Sequence, residues 1–567
     1  MFINVGTNAH CMPGFIRKKN VRGYTYYYYV RKERVNGKPV DAVHIYLGSA
    51  EEILKRASGS HKDESDTGRI SLKSFEFGKI ASLLAIDEEL GFRRIINDRV
   101  HKRNEQGLTV GDYMLISIFG RWCGPLSKSA TAQHFSESFL GFGLKLPHKI
   151  NAENIISHME RLDENAIRNI ETDLGRMLAT KGITPDMIVW DTTNHYTFID
   201  CGESIPRKGK SKQGRHSKNL IGLGLAVSGQ DIPVFHKTVP GNTHDAPLFS
   251  DVIDEIVERI EELHVHAEDV VLVFDKGNNS EENIDKVLNK MHVVGSLKKN
   301  QVGDLFHRPL DDFESLYTTT KGNEITGFET QAEVFGKEFR IVVTFNPKTY
   351  RRQERTYKKS KARIMDGLKA IKSSVERIGK GRKTTLEGAV KKATKLIQEQ
   401  YVSVFRYRAF HEDGTRRFDY WVDENAEAEL AYTFGKMAIF TDIEEWTTEK
   451  IAQTYNRKTF IEQDFHWLKD TLLIPITPIW HRKDQNIRVH VFLCILGLFF
   501  VRYLSWKVDI PGLTDERMIN ELAKIRVALV SRKNLKKPEL VVEEMTAVQA
   551  SLFSKLDLSR YLKLNNF

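Results

Sequence analysis

The sequence predicts an α/β protein: a mixed sheet flanked by helices and interrupted by a β-rich insertion, with a β-hairpin N-terminal module and helical flanking regions. Three observations predict it. Between residues 182 and 300, short apolar strands and helices alternate in one definite order. Two of those strands each end in an aspartate, Asp191 and Asp275. A third carboxylate, Glu462, lies far downstream on Ile451 to Lys469, where apolar residues recur at helical spacing with no Pro or Gly between them.

At 567 residues the chain is too long for one compact core. It divides into 1–62, 63–181, 182–300, 301–441, 442–505 and 506–567. Hydrophobic content of 41% and charged content of 28% are those of a soluble globular protein. A net charge of +10 favours an acidic polymer as partner. Cys11, Cys123, Cys201 and Cys494 are scattered without a CxxC pair, which fits a reducing compartment and excludes a zinc finger. The first residues lack the apolar core of a signal peptide. The longest apolar run, Val491 to Val501, is too short to cross a bilayer and predicts a buried helix. A soluble, intracellular protein away from membranes is expected.

Residues 20–48 predict a hairpin, with Asn36-Gly37 as its turn. Arg17, Lys18, Lys19, Arg22, Arg31, Lys32, Arg34 and Lys38 make this module basic, with tyrosines interleaved. It suits a DNA-reading arm or a solvated basic edge equally well. Residues 73–181 carry helical periodicity, with loops at Gly107, Gly124-Pro125 and Pro147.

Next, Met187 to Trp190 predicts a short apolar strand with Asp191 at its end. A basic loop, Arg207 to Lys218, precedes two strands turning about Gly229-Gln230-Asp231. A helix over 246–263, a strand over 270–274 ending in Asp275, a helix over 281–291 and a strand at His292 complete the unit. The order β-β-β-α-β-α-β is that of a ribonuclease H-like sheet. There the first and fourth strands lie parallel side by side, which would bring Asp191 and Asp275 within about 5 Å. Two carboxylates that close ionise together only beside a cation. A single Asp at a strand end is ordinarily a turn residue; two in this topology, joined by Glu462, are not.

On an uninterrupted helix, Tyr455, Glu462 and Lys469 form one stripe that Lys458 joins. The bland alternative is a surface helix with Lys–Glu support. Asp464, about 200° round from Glu462, and Asp470 are the fallback carboxylates.

Residues 301–441 are expected to interrupt this unit with strands around a basic helical segment. Arg351 to Lys395 holds sixteen Lys/Arg against four Asp/Glu. Ile364, Leu368, Ile371, Val375 and Ile378 give it one apolar face, so it predicts a folded amphipathic helix whose counter-charge is phosphate backbone. The tail is expected to be helical, with Met518, Leu522, Ile525 and Leu529 on one face. RKGKSK near Gly209 lacks the glycine of a phosphate loop, Gly222-x-Gly224 lacks the helix of a dinucleotide site, and His264-x-His266 lacks further ligands.

The ordered motifs resemble the DDE transposases of bacterial and archaeal insertion sequences, in particular the group with a Y-x2-R-x3-E-x6-K signature. Tyr455, Glu462 and Lys469 match that spacing; the Arg position is Lys458, with Arg457 beside it, which keeps the charge and loses the bidentate fork. The DTT after the first strand, GNTHD, FDKGNNS and PIWHRKDQNIRVH are also similar, so the likeness runs from about 73 to 505. It implies two Mg²⁺ or Mn²⁺ ions held by Asp191, Asp275 and Glu462 as catalytic and metal-binding residues, with DNA positioned by Tyr455, Arg457, Lys458 and Lys469. It further implies double-stranded DNA with terminal inverted repeats and a target DNA as partners, a homodimer on DNA, and the cytoplasm of a prokaryote at the nucleoid. Trp421 or Tyr420 would serve a flipped base. The alternatives are a stand-alone ribonuclease H-like nuclease and a silent DNA-binding derivative of a transposase.

Overall fold

The computed structural model describes residues 14–562 apart from 22–23, 36–37, 58–70, 102–106, 140, 142–149, 201–203, 320–321, 378–383 and 532–538. The chain divides into two units, residues 1–72 with 530–539 and residues 73–529 with 540–567. In the first, β1 (Phe15–Val21), β2 (Tyr24–Val35) and β3 (Lys38–Ser49) form an antiparallel sheet in that order, followed by the helix Ala50–Ala57. Three strands therefore stand where two were expected. Val35 pairs with Lys38 as a tight hairpin requires, while the Asn36-Gly37 turn lies outside the described residues.

β4 (Ser71–Glu76) leads into the helices Gly78–Leu90, Phe92–Arg99, Val110–Trp122, Lys128–Glu137, Ala152–Met159 and Glu164–Ala179. Several begin at sequence-legible caps. Thr109 and Asp112 form a reciprocal capping box, and Ser127, Asn151 and Asp163 each accept an N–H of the first turn. Of the three loop positions read in this region, Pro147 lies outside the described residues.

The centre is a mixed sheet. β5 (Met187–Thr197), β6 (Asn219–Ser228) and β7 (Pro233–Pro240) are antiparallel, and β8 (Val271–Phe274) and β9 (His292–Ser296) run parallel to β5. The start of β5 and all of β8 are apolar because both faces are covered there. Ile188, Trp190, Leu272 and Phe274 turn to one core with the helices Asp245–Glu261 and Glu281–Leu288. Val189, Val271 and Val273 turn to the opposite core with the long helix Asp484–Val508. Alternate residues reach alternate cores, as the strand period dictates. β5 is longer than its apolar start, so Asp191 lies inside the strand and not at its end. The β6 ladder continues, Asp191 opposite Leu225, whereas the β8 ladder stops at Trp190 opposite Phe274.

The stretch after β9 requires a correction. β10 (Glu314–Thr318), β11 (Glu324–Val334) and β12 (Lys337–Phe345) do not interrupt the sheet; they extend it, and one later strand brings it to nine. Only residues 346–435 leave it, through the helices Pro347–Val375 and Leu386–Leu396, the hairpin of β13 (Phe405–Glu412) and β14 (Thr415–Val422), and the helix Glu424–Tyr432. They enclose a core of their own, with Ile364, Leu368, Ile371 and Val375 on the predicted apolar face; Ile378 lies outside the described residues. β15 (Lys436–Thr441) returns between β12 and β9. Alternation marks a strand but does not say which sheet it joins.

The tail is not wholly helical. Met518 and Leu522 lie buried on the helix Asp515–Lys524, but Leu529 belongs to β16 (Arg526–Ser531), which joins β4 and β17 (Glu539–Val542) in a small sheet. The run Val-Ala-Leu-Val favours the pleated form once helix 515–524 has ended. The Asp484–Val508 helix is longer than its apolar run and is long and apolar enough to cross a membrane, yet nearly all of that window is packed inside the protein.

Candidate active site

The carboxyl ends of β8 and β9 lie beside the middle of β5, where the parallel ladder stops. Asp191 and Asp275 follow the paired residues Trp190 and Phe274 on neighbouring strands, so their backbones are about 5 Å apart. Ser296, the last residue of β9, completes the row.

Over this row lies the downstream helical stretch, which is not one helix. Thr448–Asn456 and Lys458–Trp467 are separated by Arg457, and Lys469 falls beyond the second helix. The single stripe is therefore replaced by three separate contacts on the strand ends. Tyr455, 5% exposed, donates from its hydroxyl to Ser296 Oγ at 2.7 Å and to Asp275 Oδ1 at 3.3 Å. Lys458 Nζ lies 3.1 Å from Asp275 Oδ2 and 3.8 Å from Glu462 Oε1. Lys469 Nζ donates to Thr193 Oγ1, two residues beyond Asp191, at 2.5 Å. Glu462 itself stands mostly in solvent.

The electrostatics follow from this crowding. Burial pushes the Asp191 carboxyl up to about 6 against the pull of Lys458 and the Thr192 N–H, and the Asp275 charge adds to the rise. Burial also acts upward on Asp275, but the Lys458 charge and hydrogen bond, aided by Lys276, hold it below the usual carboxylate range. Burial and the Asp275 charge raise Tyr455 far above a normal phenol, so it remains a donor.

Asp275, Lys458 and Glu462 open into a cavity of about 580 Å³ whose wall also carries Lys276, Lys299, Arg352 and Lys436. Arg352 comes from the helix Pro347–Val375, so the segment 346–435 roofs the site. Cations outnumber carboxylates along this wall, which suits a polyanion.

Four sequence candidates point elsewhere. Arg457 forms an ion pair with Asp231 in the β6–β7 turn at 2.9 Å. Asp464, the fallback, is 0% exposed and paired with Arg502, on the side of its helix opposite Glu462. Trp421 and Tyr420 lie on β14 and do not line the cavity. Sequence reasoning missed Ser296 and Lys212. Lys212 donates to the Thr192 carbonyl at 2.9 Å and shares Thr192 with Asp245. Ser296 could have been found, because it ends the strand after the one bearing Asp275.

Among the described residues, the group with ligand atoms mutually within 4.8 Å is Glu76, Cys123 and His134, not the three carboxylates. Glu76 there already holds Lys79 at 3.0 Å. At the cavity, the Lys458 ammonium takes the place between Asp275 and Glu462 where positive charge is held.

A family model described as "Transposase DDE domain" matches residues 196–498, more than half of the chain. The chain belongs to that transposase family, which implies DNA binding and suggests nuclease or transferase chemistry. The match takes in Asp275 and Glu462 and begins five residues beyond Asp191. No curated protein matches the chain.

Proposed function

We propose that this protein cleaves DNA strands at the ends of an insertion sequence and transfers them into target DNA, from a ribonuclease H-like core in which Asp191, Asp275 and Glu462 are catalytic. The observation that carries this is that Asp191 and Asp275 follow paired residues on adjacent parallel strands, with Lys458 of the downstream helix ion-paired to Asp275 and 3.8 Å from Glu462. The all-oxygen donor set fits hard divalent cations, and the Lys458 ammonium among the carboxylates is the chain's own counter-charge to them. Two Mg²⁺ or Mn²⁺ ions held by these three residues would supply activation of a water or a 3′-hydroxyl and charge stabilisation at the leaving oxygen.

The protein's own groups do the positioning. Tyr455, fixed by Ser296, orients Asp275. Lys458, Lys276 and Arg352 line the approach as phosphate partners, and Lys469 carries a second cation along β5. Cleavage and joining are the same phosphoryl transfer with different nucleophiles, so one site serves both. The test is to make Asp191→Ala, Asp275→Ala and Glu462→Gln and assay Mn²⁺-dependent nicking of DNA carrying the element's end. Each variant should lose nicking by at least about 10³-fold while still binding the end; each carboxylate is asked to supply some 4 kcal/mol of barrier lowering. Normal nicking by Glu462→Gln refutes the assignment.

A further inference from the structure

A second chemically distinctive surface lies further along β5. Trp480 is 72% exposed and Phe198 45% exposed, and their rings stack with centroids 6.1 Å apart at 16°. Tyr196 meets Phe198 edge-on at 5.6 Å. Lys218 Nζ stands 4.7 Å over the Phe198 ring and the Arg215 guanidinium 5.5 Å over Tyr196. An exposed tryptophan stacked on an exposed phenylalanine leaves open apolar area that water solvates poorly.

The platform is held in place. Ile479, next to Trp480, is fully buried, and its carbonyl accepts from Thr197 Oγ1 at 3.4 Å. Thr477 Oγ1 donates to the Tyr196 carbonyl at 3.4 Å. The cations beside it belong to Arg207 to Lys218, a loop with six Lys/Arg and no Asp/Glu. That loop is tied to β5 by Asn194, whose side chain donates to the Lys210 carbonyl and accepts from the Lys212 N–H, both at 2.9 Å. Its Lys212 reaches Thr192, beside Asp191. A line of positive charge therefore runs from the candidate active site to the aromatic pair. Phe198 lies seven residues past Asp191, roughly 24 Å at the rise of a strand, or about seven base pairs of duplex.

We propose that Trp480 and Phe198 form a stacking platform for an unpaired base of the bound DNA, its backbone carried by Lys212, Arg215 and Lys218. The inference rests on the reading of the protein as an insertion-sequence transposase, and it gives a task to Phe198 and Trp480, which lie within the matched region 196–498 but outside the three carboxylates and their neighbouring cations. Aromatic stacking under a cationic track is how single strands are held without sequence preference. Clustered cations select a nucleic acid over an apolar protein partner.

The experiment uses the full chain in EDTA, so that binding is read without catalysis and its failure is separable from failure of the cleavage reading. Anisotropy is measured with a single strand longer than about 16 nucleotides and with the same sequence as duplex. Trp480→Ala should weaken single-strand binding by about 5- to 150-fold and leave duplex binding unchanged, while Trp480→Phe retains most of it. A strand carrying 2-aminopurine should be quenched by the wild-type protein and not by Trp480→Ala. Because Trp480 is largely in solvent, the variant should melt like the wild type. Equal loss on single strand and duplex, or no loss on either, overturns the proposal. So does a change of oligomeric state in Trp480→Ala with DNA affinity intact, which would assign the surface to a second copy.

Discussion

Asp464 and Glu462 stand two positions apart on one helix and meet opposite environments. Glu462 faces the cavity, whereas Asp464 is sealed inside, where burial pushes its carboxyl up to about 7 against the pull of Arg502. Arg502 Nε donates to Asp464 Oδ1 at 2.7 Å and the same guanidinium holds Asp515, so the helix bearing Glu462 is pinned to Asp484–Val508 and Asp515–Lys524. Removing one partner leaves an uncompensated charge in the core. Asp464→Ala should destabilise the protein by about 3–5 kcal/mol, nearer the lower figure because Asp515 remains. Denaturant unfolding reads this directly, and an unchanged midpoint contradicts it. The 100° step per residue showed in advance that Asp464 and Glu462 could not share one site. It could not show the bend at Arg457, since no Pro or Gly marks it and Arg457 is drawn off by Asp231 through tertiary contact.

Among the elements, β5 carries the most. It supplies Asp191, Thr193 for Lys469, and Tyr196 beneath Arg215, and its Trp190 lies across Gly224 of β6. A Cβ added at Gly224 would fall within the Trp190 ring, so a glycine is needed there for close approach. Gly224→Ala should cost about 1–3 kcal/mol through overpacking, seen as a lower melting temperature, and a shift in the β5 edge should reduce cleavage with it. The five strands from Met187 to Ser296 were readable because each is a short apolar run bounded by turn residues, and their order then placed Asp191 beside Asp275. Strand length was less readable: Thr192 to Thr197 are largely polar and extend β5 only because β6 pairs with them. The same limit hid the partners of β10, β11 and β16, whose sheets are chosen by long-range pairing.

For the whole molecule, the positive charge concentrated between Arg351 and Lys395 is the largest electrostatic feature. Arg351, Arg352 and Arg355 are exposed along the helix Pro347–Val375, and Arg352 reaches the cavity wall. Exchanging all three for Gln should lower DNA affinity and reduce the slope of log K against log salt by about 2–3; an unchanged slope would remove this helix from the DNA path. Loss of binding without loss of fold is expected, since the buried face is made by Tyr357, Ile364 and Leu368.

The attachment of residues 346–435 has one more consequence. Phe345 and Lys436 are register partners on adjacent antiparallel strands, and the Asn346 N–H donates to the Gly435 carbonyl at 2.8 Å. The whole roof therefore hangs from the mouth of a β-hairpin, in the position a two-residue turn could occupy. Its own apolar interior makes it a graft, and excising 346–435 for Asn-Gly should yield a soluble, cooperatively melting protein that no longer grips DNA. Such a variant keeps Asp191, Asp275 and Glu462, the residues proposed to cut, on the sheet side, so grip and floor are measured apart.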